Sequence, residues 1–226
     1  KDSSSNTIEV KIKEIIKKMT GEDIDIYVGC RTEKGVHALA QTANFKLNDR
    51  YQAIEIKNYL NRYLPRDIAI NHVEEVDERF HSRLTCKKKT YRYVINNSEF
   101  SSAIYRNLET HIPQKLNVEK MKEAVKFFEG EHDFKAFKAS GTSSKSSVRT
   151  IYKAEVYQEG DRIMIELTGN GFLYNMVRII AGTLVEVGFG KIEPNTIPEI
   201  IENKKRENAG KTLPPNGLYL MKVIYD

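Results

Sequence analysis

The stretch "TIYKAEVYQEGDRIMIEL", from Thr150 to Leu167, constrains the fold most. Two β-prone runs flank Glu159-Gly160-Asp161, a turn signal, and together they predict an antiparallel hairpin. Helical segments surround it. "NTIEVKIKEIIKKMTGED" places Ile8, Ile12, Ile15, Ile16 and Met19 on one side, with Asn6 and Glu9 as a capping pair and Gly21 as the stop. Further helices are expected at about 51–62, through "NVEKMKEAVKFFEGEHD" with Gly130 as its stop, in "GFLYNMVRIIAGTLVEVG", and around 197–204. Strands are expected in "IDIYVG", "LAQTANFKL", "IAINHVEEV", "KKTYRYVIN" and "LYLMKVIY". In the second of these, Leu39, Ala43, Phe45 and Leu47 share one face, with Gln41 the polar exception. Hairpins mixed with helices predict an α+β fold with a largely antiparallel sheet. The two halves run through similar elements, which suggests lobes at 1–112 and 113–226. "KASGTSSKSS", from Lys138 to Ser147, is too small and polar to order itself by burial and reads as a mobile loop.

Composition narrows the classes. The chain has 226 residues, 40% of them hydrophobic, enough for a substantial core. It carries 36 Lys+Arg against 31 Asp+Glu, a net charge of +5 that suits a polyanionic partner without demanding one. Cys30 and Cys86 have neither disulfide-framework nor metal-pair spacing, which favours a reducing, cytoplasmic setting. No apolar run approaches the roughly 20 residues that span a bilayer, and the start has no signal-peptide core.

Chemistry concentrates in "GCRTEKGVHA", Gly29 to Ala38, a loop between two expected strands. Arg31 and Glu33 there read either as a surface ion pair or as a carboxylate held by a guanidinium and aimed at an electrophile. Arg178 stands in a helix otherwise lined by Phe172, Leu173, Met176, Val177, Ile179 and Ile180. A cation so placed needs a carboxylate partner or a route to solvent. In "TYRYV", Tyr91 and Tyr93 share one face of a strand and Arg92 the other, a pattern of packing aromatics that also suits base stacking. His37, His72, His81, His111 and His132 show no paired-ligand spacing, and no metal site is predicted. No nucleotide-binding glycine fingerprint occurs.

These segments together resemble the TruA family of tRNA pseudouridine synthases. The loop is similar to that family's "GRTDxGVHA" signature. "LPRDI", "RFHSR", "KKTYRYVI", "GEHDFKAF", "VRTI", "NGFLYNMVRIIAGTLVEVG" and "GLYL" follow in the family's order across nearly the whole chain. The resemblance implies two ferredoxin-like α+β lobes sharing a largely antiparallel sheet, and assembly as a homodimer. It implies isomerisation of uridine to pseudouridine on the 3′ side of the tRNA anticodon stem-loop (tRNA positions 38–40), without cofactor or metal. By that resemblance Glu33 stands at the catalytic aspartate, Tyr91 at the tyrosine packing on the target base, and Arg178 at the basic residue pairing the carboxylate. Arg31 matches a loop arginine that helps displace the base. The same resemblance makes His37, Arg79, His81 and Arg83 candidates to meet RNA, with the two arginines reading equally as surface charges.

Three departures stand out. Glutamate replaces the family aspartate at position 33, moving the carboxylate outward by roughly 1.5 Å. Cys30 takes the place of a glycine, and Lys34 adds a charge beside the carboxylate. The family's opening strand lies before this chain's first residue, which would leave a sheet edge open. The alternative to an enzyme is therefore a catalytically weak or silent tRNA-binding paralogue acting as an RNA chaperone.

Overall fold

A computed structural model describes residues 7–48, 51–141 and 146–225. Asn6, expected as a helix cap, and residues 142–145 of the expected mobile loop lie outside them. In chain order the first elements are α1 (Ile8–Thr20), β1 (Tyr27–Val28), β2 (His37–Ala38), β3 (Ala43–Asn44), α2 (Ala53–Tyr63) and β4 (Lys88–Asn96). Then come β5 (Thr110–His111), α3 (Val118–Lys126), β6 (Gly130–Asp133), β7 (Val148–Glu159) and β8 (Arg162–Gly169). α4 (Met176–Gly188), α5 (Ile197–Asn203) and β9 (Leu218–Ile224) complete the set. By packing the chain forms two compact units, Lys1–Cys30 with Thr42–Thr85, and Arg31–Gln41 with Cys86–Asp226. The 112/113 boundary followed recurring element order; these units follow contacts.

In the smaller unit, Ile15 and Ile16 of α1 and Ile56 and Leu60 of α2 close on Ile24, Ile26 and Leu64. Each such buried aliphatic side chain is worth about 1.5–3 kcal/mol. Thr7 caps α1, its hydroxyl accepting the Val10 N–H at 3.2 Å. Gly21 ends the helix at φ 78, its N–H donating to the Lys17 carbonyl. β1 and β3 pair antiparallel as a two-stranded sheet.

Two strand expectations need correction. Residues 68–76 form no strand. Ile68, Ile70 and Val73 do turn their side chains to the core, which is why the pattern looked strand-like. The Ile70 backbone bonds to a side chain instead of a ladder: its N–H donates to Asn61 Oδ1 at 2.8 Å and its carbonyl accepts Asn61 Nδ2 at 2.9 Å. The run 39–47 is also broken. β2 pairs with β9 in the larger unit while β3 pairs with β1 in the smaller one. Residues 39–42 pass between those two allegiances, so Leu39 is left exposed and the single face cannot form.

In the larger unit the sheet order is β2-β9-β4-β8-β7-β6, with β5 beside β4. Only β2–β9 and β4–β5 are parallel among these pairs. The largely antiparallel α+β expectation therefore holds. The β7–β8 hairpin turns at Gly160-Asp161, with Gly160 at φ 58, as its two-residue loop requires. α3 packs on β7 and on α4. Every residue of α4 is buried except Arg178 and Glu186.

Candidate active site

Glu33 opens a tight turn closed by the Val36 N–H on the Glu33 carbonyl at 3.0 Å. Gly35 sits at φ 84 within it, a conformation that side chains resist. A Cβ there would also stand 3.1 Å from Cγ of Pro215. Gly35 thus lets the turn bend and lets it lie against the loop before β9.

Arg178, in the first turn of α4, meets that turn. Its Nη1 donates to Glu33 Oε2 at 2.5 Å and to Asn175 Oδ1 at 2.7 Å, and its Nε donates to the Leu213 carbonyl at 2.7 Å. The arginine side chain is 15% exposed and the glutamate 26%. This pair answers both questions the sequence raised. The guanidinium in the apolar helix finds its carboxylate, and Glu33 pairs across the fold with Arg178, while Arg31 is exposed. Part-buried and charge-assisted, the contact is screened less than a fully exposed pair.

The segment 209–215 holds this arrangement from behind. The Gly210 N–H donates to the buried Thr183 hydroxyl of α4 at 2.9 Å. Gly182 and Gly210 let the backbones touch: a Cβ on Gly182 would fall 1.8 Å from the Lys211 carbonyl oxygen. Leu213 returns its own N–H to the Arg178 carbonyl at 3.3 Å. The next residue, Pro214, accepts the Tyr93 hydroxyl at 2.6 Å, and Pro215 lies against Gly35. Three consecutive residues therefore join the Glu33 turn, α4 and β4.

Tyr91 and Tyr93 do share one face of β4, with Arg92 on the other. Tyr91 is 8% exposed and stands edge-on to Phe172 at 5.2 Å between ring centroids. A β-bulge falls beside it: Thr90 is opposite Lys222 and Tyr91 opposite Leu220, so Met221 is the extra residue. Bulges re-aim side chains in this way near sites. Tyr93 is fully buried, and burial pushes its hydroxyl well above the usual phenol range, against the lowering effects of the Thr110 hydrogen bond and Arg178. Arg92 is occupied on the far face by Glu166, with Nε and Nη2 each 2.9 Å from the same oxygen.

The remaining candidates are placed differently. His37 stacks on Tyr219 at 4.8 Å and its Nε2 donates to the Asn107 carbonyl at 2.8 Å. Arg79, His81 and Arg83 belong to the smaller unit. Both arginines are exposed. His81 Nδ1 accepts the backbone N–H groups of Arg83 and Leu84 at 3.2 and 3.3 Å, so it shapes the turn that carries Arg83. Neither Cys30 nor Cys86 is in a disulfide. Among the described residues no group of three or more His, Cys, Asp or Glu could hold a metal ion, and no helix is long and apolar enough to cross a membrane.

Sequence reasoning missed Asn175, Leu213 and Pro214. The Pro-Pro pair in "KTLPPNGLYL" marks a stiff segment, but a backbone carbonyl acting as an acceptor leaves no trace in residue identity.

Comparison with known proteins shows the family. A sequence model of the family described as tRNA pseudouridine synthase matches residues 1–84 and 124–226. The tRNA pseudouridine synthase A of Acetivibrio thermocellus is 48% identical over 225 residues, covering 100% of this chain and 92% of the relative. That of Thermoanaerobacter sp. is 46% identical over 219 residues, covering 97% and 90%. The tRNA pseudouridine synthase A 2 of Clostridium perfringens is 48% identical over 225 residues, covering 100% and 92%. Matched over nearly its whole length by such relatives and through both halves by the family's own pattern, the chain belongs to the tRNA pseudouridine synthase family.

Proposed function

We propose that this protein isomerises uridine to pseudouridine in tRNA, with Glu33 as the reacting carboxylate. The observation that carries the reading is the Arg178–Glu33 contact at 2.5 Å. Glutamate is one methylene longer than the family's aspartate, yet its carboxylate still reaches the guanidinium, which supports an active site over a silent paralogue. In the reaction the N1–C1′ bond breaks, the base turns, and a C5–C1′ bond forms. C5 loses its proton and N1 gains one. The atoms balance without an oxidant or co-substrate.

Positive charge develops at C1′ as the base departs, and a carboxylate beside it stabilises that charge. The target base has to leave the stack to reach such a site. Tyr91, edge-on to Phe172 and on the same face of β4 as Tyr93, is assigned to pack on it. Arg31 is exposed two residues before Glu33 and suited to fill the vacated stack. Arg79, His81 and Arg83 are assigned to the RNA backbone, and His37 to holding the edge strand near the loop. The net charge of +5 favours a phosphate-rich partner. Action at the 3′ side of the anticodon stem-loop, work in the cytoplasm, assembly as a homodimer and a division into α+β lobes at 112/113 belong to the same reading.

The test is release of tritium from tRNA labelled at C5 of uridine, using the native protein, Glu33→Asp and Glu33→Gln. The native protein should turn over, and Glu33→Gln should lose at least about 10²-fold, the scale for a misplaced or missing reacting group. A native protein that binds the tRNA but releases no tritium overturns the enzyme reading. Recovery in Glu33→Asp would then point to the binding role.

A further inference from the structure

The residue that starts α4 is unusual in two ways. Asn175 has φ 60 and ψ 7, one of two non-glycine residues with positive φ among those described. It occupies the N-cap position, where asparagine ordinarily accepts a backbone N–H from the first helical turn. Here its side chain makes no capping bond. Oδ1 instead accepts Nη1 of Arg178, three residues on, at 2.7 Å. The same Nη1 donates to Glu33, and Nε donates to the Leu213 carbonyl.

We propose that Asn175 is a positioning residue for the isomerisation, giving up its capping role to aim the Arg178 guanidinium at Glu33. The geometry explains why one nitrogen needs two acceptors. A guanidinium held only at Nε can still swing about its last side-chain torsions, sweeping Nη1 away from the carboxylate. Leu213 fixes one edge of the plane and Asn175 fixes Nη1 on the other. The left-handed backbone of Asn175 turns its side chain away from the helix N–H groups and toward the arginine. Asparagine tolerates that backbone better than most residues, so it supplies the acceptor and the turn together.

This inference rests on Glu33 as the reacting carboxylate. Asn175→Gly separates the two roles, because glycine accepts the positive φ more readily than asparagine while removing the amide. Tritium release, with kcat and KM for C5-labelled tRNA, and thermal melting are measured for the native protein, Asn175→Gly and Glu33→Gln. The expected result is an equal or higher melting temperature, an unchanged KM, and a kcat reduced about 10-fold, below the roughly 10²-fold scale of a full 1 Å misplacement. A kcat within twofold of native overturns the proposal. So does a loss of kcat that comes with a raised KM and a lower melting temperature, since a structural cap would do that. Full activity in Glu33→Gln instead overturns the assignment of Glu33 on which the proposal depends.

Discussion

Gly182 of α4 gives the sharpest test of how the site is held, because it lies behind the chemistry and touches none of it. In an exposed helix interior, Gly→Ala stabilises by about 0.5–1 kcal/mol through backbone entropy and propensity. At Gly182 the sign reverses. The new Cβ would lie 1.8 Å from the Lys211 carbonyl oxygen and 2.9 Å from its carbon. Real Cβ contacts essentially never fall under 3.0 Å, so the backbone at Lys211 has to retreat by roughly 1.2 Å, and overpacking of this kind costs about 1–3 kcal/mol. In a chain of this size each kcal/mol shifts the melting temperature by about 2–4 °C. The retreat also moves Leu213, two residues on, whose carbonyl holds Arg178 Nε at 2.7 Å. A displacement near 1 Å at the site costs on the order of 10²-fold in rate. Gly182→Ala should therefore lower both the melting temperature and kcat for tritium release while leaving tRNA affinity near native. A variant that melts like the native protein and turns over normally would refute the argument that the α4–Gly210 contact sets the position of Arg178.

Two further outcomes follow from particular groups. Tyr93→Phe removes the hydroxyl that donates to the Pro214 carbonyl and contacts Thr110; it should cost about 1–3 kcal/mol, the range for stranding a buried polar group, and lower kcat more than affinity. Full stability and activity would mean that the hydroxyl is dispensable to the 213–215 segment. Asp133 bonds the Ser147 hydroxyl and pairs with Lys204 Nζ at 2.9 Å. The Ser147 bond first, then the Lys204 interaction, holds its carboxyl below the usual range. A depressed folded pKa means stability present above the unfolded value, about 3.9, and lost as pH falls through the folded one. Asp133→Asn should accordingly be less stable than native at neutral pH, and the two proteins should converge in acid; a constant gap from neutral pH into acid would contradict the sign.

The hairpin at 150–167, the existence of the helices and the strand at 88–96 were legible because each carries its own period; the stop expected at Gly130 was not one, since α3 ends at Lys126 and Gly130 opens β6. Glu33, Tyr91 and Arg178 stood out as candidates because their local motifs are distinctive, and a partner for Arg178 was legible because a cation in an apolar helix demands one. What failed depended on partners distant in sequence. Ile68 and Ile70 alternate like a strand, but only the folded chain offers Asn61 in place of a neighbouring strand. Leu39 and Phe45 read as one face until the chain commits residues 37–38 to β9 and 43–44 to β1. By itself the sequence determined the α+β class and singled out the groups to which the chemistry is assigned, because side-chain period and charge in an apolar setting are local properties. The tertiary structure alone decided that Arg178 reaches Glu33 across 145 positions and that Asn175 and the Leu213 carbonyl accept its other hydrogen bonds. Those contacts depend on backbone direction and close approach, which residue identity does not encode position by position.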